Sequence, residues 1–145
     1  MISQIKFIKT HKEAVIPTKA GPKEIGWDLT AISVFKKLSD KTTIYDTGIC
    51  ISPPEGYYTE IIPRSSLTKT GHILSNSIGV IDSTYTGNLL IALTRVDDEL
   101  SNTLTLPFMR VQLVLRKFED SVLKEVKKLD ETYRGDGGFG STDQK

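Results

Sequence analysis

The stretch Ile78-Gly-Val-Ile-Asp-Ser-Thr-Tyr-Thr-Gly87 carries the most pointed chemistry in the chain. Asp82 follows an apolar run and precedes a turn. That order puts a carboxylate at a strand end, where it can take a proton from water as a general base. Tyr85, three residues on, presents a flat ring beside it. The plain alternative is a hairpin with a turn-capping aspartate and an edge tyrosine. A second stretch, Pro63-Arg64-Ser65-Ser66, follows a strand pattern. Proline ends the ladder because it has no N–H, and two serines with the free N–H groups of a helix start can form an anion site. By itself the same tetrapeptide reads equally as a solvated turn. Asp28 stands between Trp27 and Leu29, and Gln112 stands inside Val111-Gln-Leu-Val-Leu115. A charge in an apolar strand is costly unless it is paired, hydrogen-bonded or facing a metal. Either side chain could simply satisfy a buried neighbour.

The C-terminal run Arg134-Gly-Asp-Gly-Gly-Phe-Gly-Ser-Thr-Asp143 sets four glycines around one aromatic. Glycines let main-chain N–H groups converge on phosphate oxygens, while Arg134, Ser141 and Thr142 add a cation and hydroxyl donors. Phe139 has no core to join and could cover the flat face of a base. The run holds too few apolar groups to pack on itself, so a mobile arm over 133–145 is expected beside a domain over 1–132. A frayed terminus has the same composition. Arg134-Gly135-Asp136 also spells an integrin-binding tripeptide, a match too short to carry weight.

The rest of the chain must position these groups, and its dominant period is two. Residues 2–9, 43–51, 57–62, 89–96 and 111–118 alternate or are rich in β-branched residues. Turn signals separate them at 19–22, 39–40, 52–56 and 97–98. Many short strands at near-regular spacing predict an all-β sandwich or barrel. Two places resist. Leu67, Thr68 and Lys69 could form a helical turn stopped by Gly71. Val122, Leu123, Val126 and Leu129 recur at helical spacing, while Val122, Lys124 and Val126 alternate, so helix and strand both stay open for 121–129. Residues 103–108 read as a strand edge, 124–131 as a solvated face, and His11 and His72 as surface residues without metal-like spacing.

At 145 residues the chain fits one domain. Its 19 basic and 18 acidic side chains nearly cancel, which argues against stable nucleic-acid or membrane-surface binding. Cys50, the one cysteine, can form neither an internal disulfide nor a thiolate zinc site, which suits a reducing compartment. No apolar run approaches the roughly 20 residues of a bilayer span. The N-terminus lacks a signal-peptide core. An intracellular, cytoplasmic location is expected, or host cytoplasm for a viral source.

Taken in order, Gly26-Trp-Asp-Leu-Thr-Ala31, Pro63-Arg-Ser-Ser66, Gly79-Val-Ile-Asp-Ser-Thr-Tyr-Thr-Gly87, Val111-Gln-Leu113 and Arg134-Gly-Asp-Gly-Gly-Phe-Gly-Ser-Thr142 resemble the five motifs of the trimeric deoxyuridine triphosphate pyrophosphatase (dUTPase) family, over nearly the whole chain. The third and fifth are long and specific. The resemblance implies a distorted β jelly roll of the β-clip type. Three copies would form a homotrimer whose active sites draw on several subunits, with the C-terminal arm closing over a neighbour's nucleotide. It implies hydrolysis of dUTP to dUMP and pyrophosphate with Mg2+, which keeps uracil out of DNA and supplies dUMP for dTMP synthesis.

On the same resemblance, Asp82 would activate the water that attacks the α-phosphorus, and Tyr85 would pack under the deoxyribose and exclude a ribose 2′-hydroxyl. Asn76, with the main chain around Val80, Ile81 and Leu90, would read the uracil edge. Cytosine, with the opposite donor and acceptor pattern, would leave fixed groups unpaired, a mismatch that can discriminate by roughly 10⁴. Arg64, Ser65, Ser66 and Gln112 would hold the phosphate chain. Asp28 would orient magnesium indirectly, through its water shell. In the closing arm, Arg134 and Ser141 would clamp the distal phosphates, Phe139 would cover the uracil, and Gly140 would join them in binding substrate.

Three departures stand out: Trp27 where the family usually has another residue, Arg110 too close to Gln112 in the fourth motif, and Asp143 in place of a final glycine. One alternative is a dCTP deaminase-like enzyme, which shares the fold and an Arg-Ser-Ser stretch. That family carries a catalytic glutamate ten residues beyond the equivalent of Asp82, where this chain has Ala92. The other alternative is a non-catalytic regulatory jelly-roll trimer.

Overall fold

The computed structural model describes residues 2–100 and 104–143. Among these described residues are ten strands and one 3-10 turn. They are β1 (Lys6–Lys9), β2 (Trp27–Ala31), β3 (Ser33–Lys37), β4 (Thr42–Asp46), β5 (Ile49–Ser52), β6 (Tyr57–Pro63), β7 (His72–Leu74), β8 (Gly79–Ile81), β9 (Leu90–Arg95) and β10 (Phe108–Lys117), with the turn at Ser65–Lys69. The strands form a pair β1-β5 and two four-stranded sheets, β2-β10-β6-β8 and β3-β4-β9-β7. Every pairing is antiparallel. This is the all-β fold expected from the two-residue period, in the jelly-roll form that the family resemblance implies.

Alternation decides which side chains enter the core. On β6, Thr59 and Ile61 are buried inward while Tyr58 and Ile62 face outward; on β10, Val111 and Leu113 point in beside Leu29 of β2. Ile91 and Leu93 of β9, with Ile49 and Ile51 of β5, close the core from the other side. Each such buried aliphatic side chain contributes about 1.5–3 kcal/mol relative to exposure. Tyr45 and Phe108 meet edge to face at 4.9 Å across the sheets.

Several expectations change. The N-terminal strand begins only at Lys6, and residues 43–51 are two strands broken by a turn at Thr47-Gly48. Gly71 does stop the 3-10 turn, at φ +71°, a conformation that other residues adopt at a cost. Residues 121–129 form neither helix nor strand; their apolar side chains lie open, so neither periodicity found a surface to pack against. Residues 104–107 are irregular rather than a strand edge, since Pro107 has no N–H for a ladder, and Thr103 lies outside the described residues. His72 is half-buried, not a free surface residue, because its Nδ1 is bonded to the Thr70 carbonyl at 2.8 Å. No helix among the described residues is long and apolar enough to cross a membrane.

Candidate active site

The outer face of the β2-β10-β6-β8 sheet carries the first group of expected residues. Register places Asp28 opposite Gln112 and Gln112 opposite Ile62, so all three share one face. Pro63 closes β6 and turns Arg64 back across the sheet, where its guanidinium meets Asp28 at 2.9 Å and donates to the Met109 carbonyl at 2.9 Å. The Asp28 side chain is only 13% exposed, so this arginine answers the cost of a carboxylate in an apolar strand. Gln112 Nε2 donates to the Pro63 carbonyl at 3.1 Å. A Cβ on Gly26 would collide with the Gln112 side-chain amide, so glycine is needed for the approach. These groups and Ser65 line a cleft of about 460 Å³.

Ser65 opens the 3-10 turn, whose start no side chain caps. Ser66 Oγ is buried and has no hydrogen-bond partner among the described residues. A buried hydroxyl without a partner costs about 1–3 kcal/mol, which an oxyanion alongside would relieve. Arg110 lends its main chain: its carbonyl accepts the Arg64 N–H at 3.0 Å. Trp27 packs against the core with the Lys19 ammonium 4.9 Å from its ring centroid.

A second cleft, about 200 Å³, lies on the β8–β9 connection and is lined by Val80, Ile81, Asp82, Tyr85 and Leu90. Asp82 follows the last residue of β8 directly and is exposed. Its carbonyl accepts the Tyr85 N–H at 3.0 Å, closing a tight turn that fixes carboxylate and ring relative to each other. The Tyr85 hydroxyl donates to the Asn88 carbonyl at 2.7 Å. Asn76 sits in the turn before β8 and is not among the lining residues. Its carbonyl accepts the Ile78 N–H at 2.6 Å, and Ser77 between them takes φ +60°.

The two clefts share no lining residue: Asp82 and Tyr85 line one, and Arg64, Ser65 and Gln112 line the other. The arm stands apart from both. Its hydrogen bonds are local: Arg134 Nε donates to the Gly137 carbonyl at 2.8 Å, Ser141 N–H to Gly138 at 3.1 Å and Asp143 N–H to Gly140 at 2.9 Å. Phe139, Gly140 and Ser141 are exposed, and Gln144 and Lys145 lie outside the described residues. Among the described residues no three His, Cys, Asp or Glu side chains gather as a metal cage.

Sequence reasoning passed over a third group beside the first cleft. Glu60 accepts the Tyr58 hydroxyl at 2.8 Å and Arg116 Nε at 3.0 Å. The tyrosine hydrogen bond, and then Arg116, hold the Glu60 carboxyl below its ordinary range against the opposing effect of burial. The same hydrogen bond pushes the Tyr58 hydroxyl up. Alternation on β6 puts Glu60 outward, but only the pairing of β6 with β10 shows what it meets.

A family model described as dUTPase matches residues 12–143. The deoxyuridine 5'-triphosphate nucleotidohydrolase of Finegoldia magna is 45% identical over 101 residues, covering 69% of this chain and 70% of that one. The enzyme of that name from Corynebacterium glutamicum is 34% identical over 142 residues, covering 97% and 95%. Among solved structures, a point mutant of the Staphylococcus bacteriophage 80alpha dUTPase with dUpNHpp aligns at a TM-score of 0.82 and 21% identity, over 96% of this chain and 98% of that one. At that identity the likeness establishes the fold.

Proposed function

Since the chain belongs to the dUTPase family and is a dUTP-hydrolysing enzyme, we propose that it cleaves dUTP by in-line attack of an Asp82-activated water, in sites shared between the subunits of a homotrimer. The observation that carries this reading is the turn that fixes an exposed carboxylate beside the Tyr85 ring in one small cleft. Uracil and deoxyribose enter that cleft. Main-chain groups of Val80, Ile81 and Leu90, with Asn76 from the preceding turn, read the uracil edge. Tyr85 packs beneath the sugar and leaves no space for a 2′-hydroxyl.

Asp82 takes a proton from the water as its oxygen bonds to the α-phosphorus. The bond from that phosphorus to the bridging oxygen breaks, and pyrophosphate leaves from the far side. Arg64, Ser65, Ser66 and Gln112 of a neighbouring subunit hold the phosphate chain. The lining of the two clefts within one chain supports this division, because Asp82 and Tyr85 line one while Arg64, Ser65 and Gln112 line the other. Arg64 exchanges part of its pairing with Asp28 for phosphate oxygens, and the Ser66 hydroxyl gains an acceptor. Arg134 and Ser141 of the arm close on the distal phosphates. Phe139 covers the uracil, and Gly140, at φ +82°, provides the bend that follows the ring.

The donor set fits magnesium carried in by the triphosphate rather than caged by protein. Asp28 is the carboxylate of the first cleft nearest Arg64 and Gln112, and a hydrated magnesium needs only one or two carboxylates. Bound there, the ion would neutralise triphosphate charge and fix its shape. A panel of dUTP, UTP, dTTP and dCTP, assayed for pyrophosphate with and without magnesium, tests the reading. Release from dUTP alone, dependent on magnesium, is expected. Ammonia from dCTP, or equal cleavage of UTP, would overturn it.

A further inference from the structure

Asn88 does not line the cleft of Asp82 and Tyr85, yet its main-chain carbonyl accepts the Tyr85 hydroxyl at 2.7 Å. Its side chain is held at both ends. Nδ2 lies 3.0 Å from each Asp46 oxygen, so one N–H donates to the carboxylate in a bifurcated bond, and Oδ1 accepts from Thr10 Oγ1 at 2.9 Å and Cys50 Sγ at 3.1 Å. Those two donors use both acceptor sites of the amide oxygen. Burial, and then the nearby Asp46 carboxylate, push the Cys50 thiol up, which keeps it protonated and able to donate. Asp46 is anchored in turn by the Gly48 N–H at 2.8 Å.

The residues on either side of Asn88 tighten the arrangement. Leu89 N–H donates to the Ile49 carbonyl at 2.7 Å, and the Leu89 carbonyl accepts Thr47 Oγ1 at 2.8 Å. On the other side, a Cβ on Gly87 would lie 2.7 Å from the Tyr85 hydroxyl, so the loop wraps closely around the ring. The end of β4, β5 and the residue after β1 thus converge on one amide that stands directly behind the tyrosine.

We propose that Asn88 is a positioning residue for sugar selection: it clamps the loop behind Tyr85 so that the ring keeps the height that refuses a 2′-hydroxyl. The inference rests on the placing of Tyr85 under the deoxyribose. Excluding a single oxygen demands a wall that does not yield. A tyrosine hydroxyl bonded to a fixed carbonyl holds that wall better than one bonded to a loose loop.

The test is kcat/KM for dUTP and for UTP in the wild type, Asn88→Ala, Asn88→Asp, Tyr85→Phe, Tyr85→Ala and the double variant Asn88→Ala with Tyr85→Phe. Melting temperature and oligomer size are followed throughout. Asn88→Ala and Tyr85→Phe should each lower the preference for dUTP by about five- to tenfold, the size of one positioning hydrogen bond. Asn88→Asp, which cannot donate to Asp46, should behave as Asn88→Ala does. The double variant should fall no further than Tyr85→Phe, because the link is already cut. Thr10→Val deletes one peripheral bond and should fold while losing about twofold.

An Asn88→Ala enzyme that melts lower but keeps its preference overturns the proposal. So does a double variant that loses the product of the two single effects. Loss of preference in Tyr85→Ala with none in Tyr85→Phe or Asn88→Ala removes Asn88 and leaves the sugar site standing. Preference intact in Tyr85→Ala removes the sugar site as well.

Discussion

Asp82 and Tyr85 open and close one tight turn, and each can be tested alone. Asp82→Asn keeps the side chain's shape and removes its basicity. Pyrophosphate release from dUTP should fall by about 10²–10⁴, the usual contribution of a general base, while binding of a non-hydrolysable dUTP analogue is kept. Titration calorimetry beside the pyrophosphate assay separates the two; equal turnover in the variant removes Asp82 from the mechanism. Gly26→Ala acts differently. Its methyl group would displace the Gln112 amide and break the 3.1 Å bond to the Pro63 carbonyl, so KM for dUTP should rise with little change in melting temperature. Asp82, Tyr85 and Arg64 could be singled out as candidates in the chain because residue type and position after a strand are enough to suggest them. Gly26, Glu60 and Asn88 were not. Their importance comes from what lies across a strand pair or behind a loop, and those neighbours are remote in sequence: Gly26 faces Gln112, Glu60 faces Arg116, and Asn88 meets Asp46 and Thr10.

Among the elements, β6 and β10 join the cleft of Asp28, Arg64 and Gln112 to the core, and Glu60 is the charged link between them. It pairs with Arg116 and accepts from Tyr58, and both interactions favour its ionised form. A carboxyl held below its ordinary range binds fewer protons folded than unfolded. The stability it contributes is therefore fully present above the unfolded value and is lost as pH falls through the folded one. Melting temperatures of the wild type and Glu60→Gln should differ at neutral pH, with the wild type higher, and converge as pH drops through and below the carboxylate range. A constant difference across that window would mean that Glu60 stabilises by packing alone. Strand existence was legible from the two-residue period because one face of each sheet is buried. The behaviour of 121–129 was not. Its apolar residues fit two periods, and in the chain by itself they pack against neither: Val122 is 92% exposed and Leu123 fully so.

At the scale of the whole molecule, the exposed apolar side chains of the C-terminal third call for a partner. Leu129 and Tyr133 stand open with Val122 and Leu123, followed by Phe139 in an arm whose described hydrogen bonds stay local. Surfaces of that kind are costly in water unless assembly covers them. If each site takes Asp82 from one subunit and Phe139 from another, two defective chains can repair each other. Asp82→Asn and Phe139→Ala subunits should each assemble into weak or inactive trimers. After equimolar mixing and exchange, a given site draws an intact Asp82 and an intact Phe139 from different parents about one time in four, so roughly a quarter of wild-type activity should return. Differently tagged subunits, captured on one tag and probed for the other, establish that exchange took place. Activity that stays at the average of the two parents after proven exchange would mean that each arm closes over its own chain's Asp82. The two clefts would then have to be bridged within one subunit, by the arm of that same chain.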